Sequence, residues 1–182
     1  MTVAIRTATL ADVDALGSVH VRSWQETYRG LLPDALIASY TTASRAALWR
    51  RVIEAAPAGE SRAVLAERDG AIIGFGALAP QRDAALAEQG YVHEITALYL
   101  LREHQGQGIG RALVTALARW AGEHGGGLAL LVLAGNDQAS GFYTRLGWQV
   151  VARKTDTRGV AVLEELAYGW PDTNALIQQD HP

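Results

Sequence analysis

The sequence predicts a mixed α/β fold in one domain. Three observations carry that expectation. Runs of strand length recur along the chain, among them "VAIRTA", "RAVLAER", "AIIGFGALAP", "YVHEITALYLL" and "LALLVLA". Between them lie segments whose apolar residues repeat at helical spacing. The resulting order is strand, helices, strands, helix, strand, helix, strands, with no internal repeat and no interdomain linker. At 182 residues, 49% hydrophobic and 19% charged, the chain can bury a sizeable core and is too apolar for disorder.

Each element has a local reason. "VAIRTA" alternates and is the first strand. In "LADVDALGSVHVRSW", Val13, Leu16, Val19 and His20 share a helical face, and Thr9 with Asp12 forms a helix-starting pattern. Gly30 and Pro33 in "TYRGLLPDAL" break that helix. A second helical segment follows, then a third over "SRAALWRRVIEAA", then a turn at "PAGES". "RAVLAER" and "AIIGFGALAP" are joined by Asp69-Gly70, a hairpin signal. "QRDAALAEQG" is a loop or a short turn of helix, and "YVHEITALYLL" is a strand. In "GIGRALVTALARWAGEHG" the residues Ile109, Ala112, Leu113, Ala116, Leu117 and Trp120 line one face, and glycines 125–127 end the helix. "LALLVLA" reads as a strand buried on both faces. "DQASGFYTRLG" is a short helix stopped by Gly147. "WQVVARKT" and "VAVLEELAYG" form a last hairpin turning near Asp156 to Gly159, and residues 171–182 are a tail or edge extension.

Composition narrows the function. The net charge of −3 argues against general nucleic-acid binding, so any phosphate site is built locally. There are no cysteines, which excludes disulfides, thiolate metal sites and a cysteine nucleophile. The start of the chain lacks the pattern of a signal peptide. No apolar run approaches the ~20 residues of a membrane span. The expectation is a cytoplasmic protein without a membrane, nucleic-acid or metal partner.

The most informative stretch is "LYLLREHQGQGIGRAL". It places Gly106, Gly108 and Gly110 between a strand and a helix. The first N–H groups of a helix have no internal partners, and the helix dipole adds positive potential there. Glycines let an anion approach the backbone. The turn therefore suits a phosphate or diphosphate, although it can also be a connection with no ligand. It lacks the Lys-Ser or Lys-Thr of a nucleotide P-loop, and it is neither spaced nor placed as a dinucleotide turn.

"QGQGIG", Gln105 to Gly110, fits the pattern Q/R-x-x-G-x-G/A. Downstream, "LALLVLAGNDQASGFYTRLGW" fits a strand followed by N-x-x-A-x-x-F-Y-x-x-x-G-F, with Asn136, Ala139, Phe142, Tyr143 and Gly147 in place and Trp148 for the last Phe. Over about residues 3 to 168 the chain resembles the GNAT superfamily of N-acetyltransferases. The resemblance implies a GNAT domain over residues 1–170. Its mixed sheet would be splayed between the strand at 91–100 and the strand at 127–134, and flanked by helices. It implies acetyl-CoA as co-substrate, its pantetheine arm on the backbone of Leu98, Tyr99 and Leu100. The diphosphate would lie on Gln105, Gly106, Gln107, Gly108, Ile109, Gly110 and Arg111.

Acetyl transfer to an amine needs a neutral amine, a stabilised intermediate and a proton for the leaving thiolate. Without cysteine, direct attack by the amine is the simplest route. The resemblance makes Tyr143 the acid for the sulfur; its other reading is core packing beside Phe142. Glu94, eleven residues before Gln105, is by the same resemblance a general base acting through water, or else a carboxylate that binds the amine. Strand alternation puts Glu94 opposite His93, the second base candidate. Asn136 is a helix cap, a cofactor contact, or both. Arg102, Arg111 and Arg145 either reach phosphates or are solvated. His20, Trp24 and Tyr28 lie on the acceptor-side helix and either touch substrate or pack the core. The reading is an enzyme acetylating a primary amine of a small molecule or peptide, with a homodimer as a further expectation. The alternative is a non-catalytic acyl-CoA sensor.

Overall fold

The computed structural model describes residues 2–56, 61–158 and 161–173. Seven strands form one sheet in the order β1-β2-β3-β4-β5-β7-β6. They are β1 (Val3–Thr7), β2 (Arg62–Arg68), β3 (Ala71–Pro80), β4 (His93–Leu100), β5 (Leu128–Leu133), β6 (Gln149–Arg158) and β7 (Ala161–Trp170). Among the described residues they are accompanied by α1 (Val13–Tyr28), α2 (Asp34–Ala38), α3 (Thr42–Ala55), α4 (Ala84–Glu88), α5 (Ile109–His124) and α6 (Asp137–Arg145). The mixed α/β class expected from the sequence holds. The chain divides into two compact units, one within Met1–Ala79 and Ala97–Leu117, the other within Pro80–Thr96 and Ala118–Pro182.

In the first unit β1, β2 and β3 pair antiparallel in sequence order. The β2–β3 hairpin turns on Asp69 (φ 52°) and Gly70 (φ 80°), both left-handed, which is the conformation that matches the twist of the paired strands. A single 3-10 turn, Leu10–Asp12, leads into α1. The Asp12 carboxylate accepts from both the N–H and the hydroxyl of Thr9, and Arg6 grips it through two nitrogens. The Arg6 guanidinium holds the Asp12 carboxyl well below the usual range. Leu16, Trp49, Leu65 and Phe75 form the centre of this unit's core.

In the second unit β5, β7 and β6 are antiparallel neighbours. β4 joins β5 in parallel, with His93 opposite Leu128 and Glu94 opposite Ala129. The ladder stops there, so the two strands part within this unit at Ile95 and Leu130, the splay that the resemblance implied. Leu86, Tyr91, Ala129 and Ala167 form its core cluster.

Three sequence expectations change in detail, and a fourth, left between loop and helix, is decided. The buried arc of α5 is wider than one stripe: Leu113, Val114, Leu117, Ala118 and Ala121 are all fully buried, and Ala112, Ala116 and Trp120 lie at its margin. The helix is apolar around more of its girdle than one i, i+4 row. β5 is not buried throughout, because Leu131 keeps 39% of its surface. Asp156 to Arg158 are strand residues paired with Leu163 to Ala161, so the hairpin expected near Asp156 runs further along the chain, its connection at 159–160 lying outside the described residues. "QRDAALAEQG" resolves into α4, capped by the Asp83 carboxylate on the Leu86 N–H. Four of the five residues of the "PAGES" turn, and the tail from 174 onward, also lie outside the described residues.

Candidate active site

The glycine turn occupies the first unit. β4 ends at Leu100, one 3-10 turn covers Arg102–His104, and α5 begins at Ile109. Gly106 (φ 73°) and Gly108 (φ 80°) are both left-handed, which no β-branched or bulky residue adopts readily. A Cβ added at either would meet nothing within 4 Å, so the backbone conformation, not crowding, requires glycine there. The N–H groups of Gly106 to Gly110 donate to no acceptor among the described residues. The turn is braced from outside. Gln105 Nε2 donates to the Leu100 carbonyl at 2.9 Å, and Arg68 donates to Gln107 Oε1 at 2.8 Å and to His104 Nδ1 at 3.1 Å. Arg102 is committed elsewhere, its backbone N–H on the Glu26 carboxylate at 2.8 Å and its guanidinium on the Glu26 carbonyl.

The same unit gathers the aromatic residues of α1 against β4. The Tyr28 and Tyr99 hydroxyls lie 3.2 Å apart. Trp24 is buried, stacks on Tyr40 with ring centroids 4.1 Å apart, and touches Tyr28 at 4.3 Å. Its Nε1 is buried with no acceptor among the described residues. His20 lies deeper, within 5.2 Å of the Phe75 ring, and its Nδ1 accepts from Trp49 Nε1 at 3.1 Å. Burial pushes the His20 imidazole down to about 4, with the Arg45 charge adding to the effect. His20 is therefore a neutral core acceptor, a role in which packing outweighs substrate contact.

The second unit holds Glu94, His93, Asn136 and Tyr143. Glu94 is 6% exposed. Arg82 binds it through two nitrogens, Nε on Oε2 at 3.0 Å and Nη2 on Oε1 at 2.5 Å. The carboxylate raises the Arg82 guanidinium above its ordinary value, chiefly through those hydrogen bonds. Arg82 went unnoticed in the sequence. Twelve residues separate it from Glu94, and "QRD" looks like any polar connection. His93, one residue away on the strand, turns to the other side: its Nε2 donates to the Gly125 carbonyl at 3.0 Å and its ring lies 5.6 Å from Trp120. Burial lowers its imidazole below the ordinary histidine value. Asn136 caps α6, its Oδ1 accepting from the Ala139 N–H at 3.1 Å. Tyr143, on that helix, is buried between Trp148 and Tyr168, with ring centroids 5.6 and 5.9 Å away.

The glycine turn and the α6 cap are the two motifs that the sequence singled out, and both fold as expected. Residues 22–148 match the family described as acetyltransferase (GNAT) family. The chain is 30% identical, over 96% of each chain, to the uncharacterized N-acetyltransferase YuaI of Bacillus subtilis (strain 168). This chain belongs to the GNAT family. It is an acetyl-CoA-dependent acetyltransferase. Solved GNAT-fold structures agree in architecture. One is the paia N-acetyltransferase of Thermoplasma acidophilum in complex with coenzyme A (TM-score 0.72, 24% identity, 91% of this chain and 98% of that one). Another is yncA of Salmonella typhimurium with its cofactor acetyl-CoA (TM-score 0.70, 19% identity, 94% of each). The acetyltransferase's turn fits a diphosphate: consecutive N–H groups without partners meet the positive end of a 16-residue helix. Among the described residues no cluster of His, Asp and Glu could hold a metal ion, and no helix is long and apolar enough to cross a membrane.

Proposed function

We propose that this GNAT protein moves the acetyl group of acetyl-CoA directly onto a primary amine of a small molecule or peptide. The observation that carries the reading is the run of unpartnered amides from Gly106 to Gly110, a ready seat for the coenzyme's diphosphate. Gln105 and Arg111 bound that seat, and the backbone of Leu98, Tyr99 and Leu100 offers edge groups to the pantetheine arm. Bound acetyl-CoA supplies an activated thioester. Glu94 receives the amine or, through water, its proton. Tyr143 returns a proton to the departing sulfur. Asn136 holds the start of α6, and with it Tyr143, in place while offering a polar edge to the coenzyme. Trp24 and Tyr28 form an aromatic wall for the acceptor, Trp24 chiefly by packing.

The test is release of free CoA from acetyl-CoA across a panel of amines; the chain has no thiol of its own to interfere. Tyr143→Phe keeps the ring between Trp148 and Tyr168 and removes only the hydroxyl. Turnover is expected to fall more than tenfold, the usual size of an acid–base contribution, while CoA affinity stays unchanged. An unaltered rate removes Tyr143 from the mechanism. Tight CoA binding with no release from any acceptor identifies a sensor instead.

A further inference from the structure

We propose that the acceptor is a small amino acid or a close analogue, its ammonium on Glu94 and its carboxylate on Arg82. The proposal rests on Glu94 being the acceptor side of the site. A cavity of about 250 Å³ opens in the second unit, lined by Gln81, Arg82, Asp83 and Glu94 together with leucines that include Leu86 and Leu131. Drug-sized ligands fill sites of roughly 300–1,000 Å³, so this one suits a smaller metabolite.

Charge selects among small amines. Glu94 is fixed and buried, whereas the Arg82 side chain keeps 72% of its surface. The anion is built in and the cation is movable. A simple amine or a polyamine would displace Arg82 from Glu94 and bring no anion to hold the guanidinium at the site. A zwitterion exchanges both ends at once: each protein charge trades an internal partner for an external one, and none is stranded. Asp83 does not compete for the ammonium, because Lys154 holds it at 2.7 Å and it caps α4. Glu165 also pulls electrostatically on Arg82, which keeps the guanidinium at hand when Glu94 turns to the ligand. Gln81 brings a spare donor. Its Oε1 accepts from the Asp83 N–H at 3.0 Å, while its buried Nε2 has no acceptor among the described residues, and a carboxylate oxygen would supply one. Leu131, open in a strand otherwise buried, and Leu86 offer an apolar wall for the side chain.

The reaction balances. The ammonium loses one proton, its nitrogen bonds to the acetyl carbon as the carbon–sulfur bond breaks, the nitrogen loses its second proton, and the sulfur leaves as the thiol with one proton released overall. The product is an amide that keeps the carboxylate and has no cation for Glu94. Arg82 can then return to Glu94, which favours product release.

The experiment is calorimetric titration of the full chain, saturated with CoA so that no acetyl group can move, with leucine, leucinamide and 3-methylbutylamine. Leucine is expected to bind at least tenfold tighter than either compound lacking the carboxylate, the usual worth of a charge-assisted pair. Arg82→Gln should erase that preference and Arg82→Lys restore part of it. Arg82→Gln leaves the buried Glu94 carboxylate without its ion pair, so the dichroism and thermal midpoint of both variants are measured alongside, and Arg82→Lys, which keeps the charge, carries the test if the glutamine variant does not fold. Equal or tighter binding of the amide or amine, a preference that survives Arg82→Gln, or no binding by leucine overturns the proposal. CoA release is measured separately with acetyl-CoA. Release with amines but no carboxylate preference keeps the enzyme and removes the zwitterion site. Leucine binding without release of CoA keeps a zwitterion site and overturns the amino acid as the acceptor.

Discussion

His20 shows how much one buried hydrogen bond constrains. The Trp49 indole only donates, so Nδ1 of His20 must carry a lone pair and the proton of the neutral ring sits on Nε2. Protonating the ring breaks that bond and places a charge in the core. The folded value of about 4 lies below the ordinary 6.5, so the unfolded chain binds the extra proton first. His20 contributes no pH dependence above about 6.5. Between 6.5 and about 4, stability is expected to fall with pH, by on the order of 3 kcal/mol at the lower end. Urea unfolding at pH 7 and pH 4.5 reads this directly, and His20→Gln should lose most of the slope. Glu94 poses the second question at this scale. Glu94→Gln keeps a hydrogen-bonding partner for Arg82 and removes the charge. If Glu94 is the base, the acid limb of the pH dependence of kcat/KM shifts or disappears; an identical limb leaves Glu94 a binding role only.

Among the elements, the α5 start and its preceding turn carry the proposed function. In the proposed reading, two left-handed glycines and a helix N-terminus form the anion seat, with Gln105 and Arg111 at its margins. Gly108→Ala tests this. An alanine at φ 80° costs about 1–2 kcal/mol locally and puts a methyl group beside the amides. The expected result is a rise in KM for acetyl-CoA of at least tenfold with the far-ultraviolet dichroism unchanged. An unaltered KM would mean that the diphosphate does not use this turn. The elements also explain where the sequence was readable. The Asp69-Gly70 hairpin, the Asn136 cap and the Gly147 stop each depend on a few neighbouring residues, and each folds as their chemistry dictates. The exposure of Leu131 was unreadable, because an apolar run looks the same whether one face is covered or both.

For the whole molecule, the core and the charge balance set the terms. Phe75 is fully buried and meets Trp49, His20 and Tyr99 at ring distances of 4.9, 5.2 and 5.6 Å. Phe75→Ala should cost about 3–5 kcal/mol, read as a lowered urea midpoint at constant slope; a loss under about 1 kcal/mol would mean that the first unit's core is centred elsewhere. With a net charge of −3 the chain gives an anionic coenzyme little overall attraction, which is why the proposed seat draws on backbone dipoles at one helix end.

Local chemistry alone determined the mixed fold class, most element positions and the glycine turn, since those signals lie within a few residues of one another; the family was legible through the resemblance of two motifs. The tertiary structure alone revealed that Arg82 sits on Glu94, that Trp24 is stacked into a pile of rings and that Leu131 opens onto a cavity. Such facts depend on which distant segments pack together, and a pairing across twelve or more residues leaves no periodic trace in the chain.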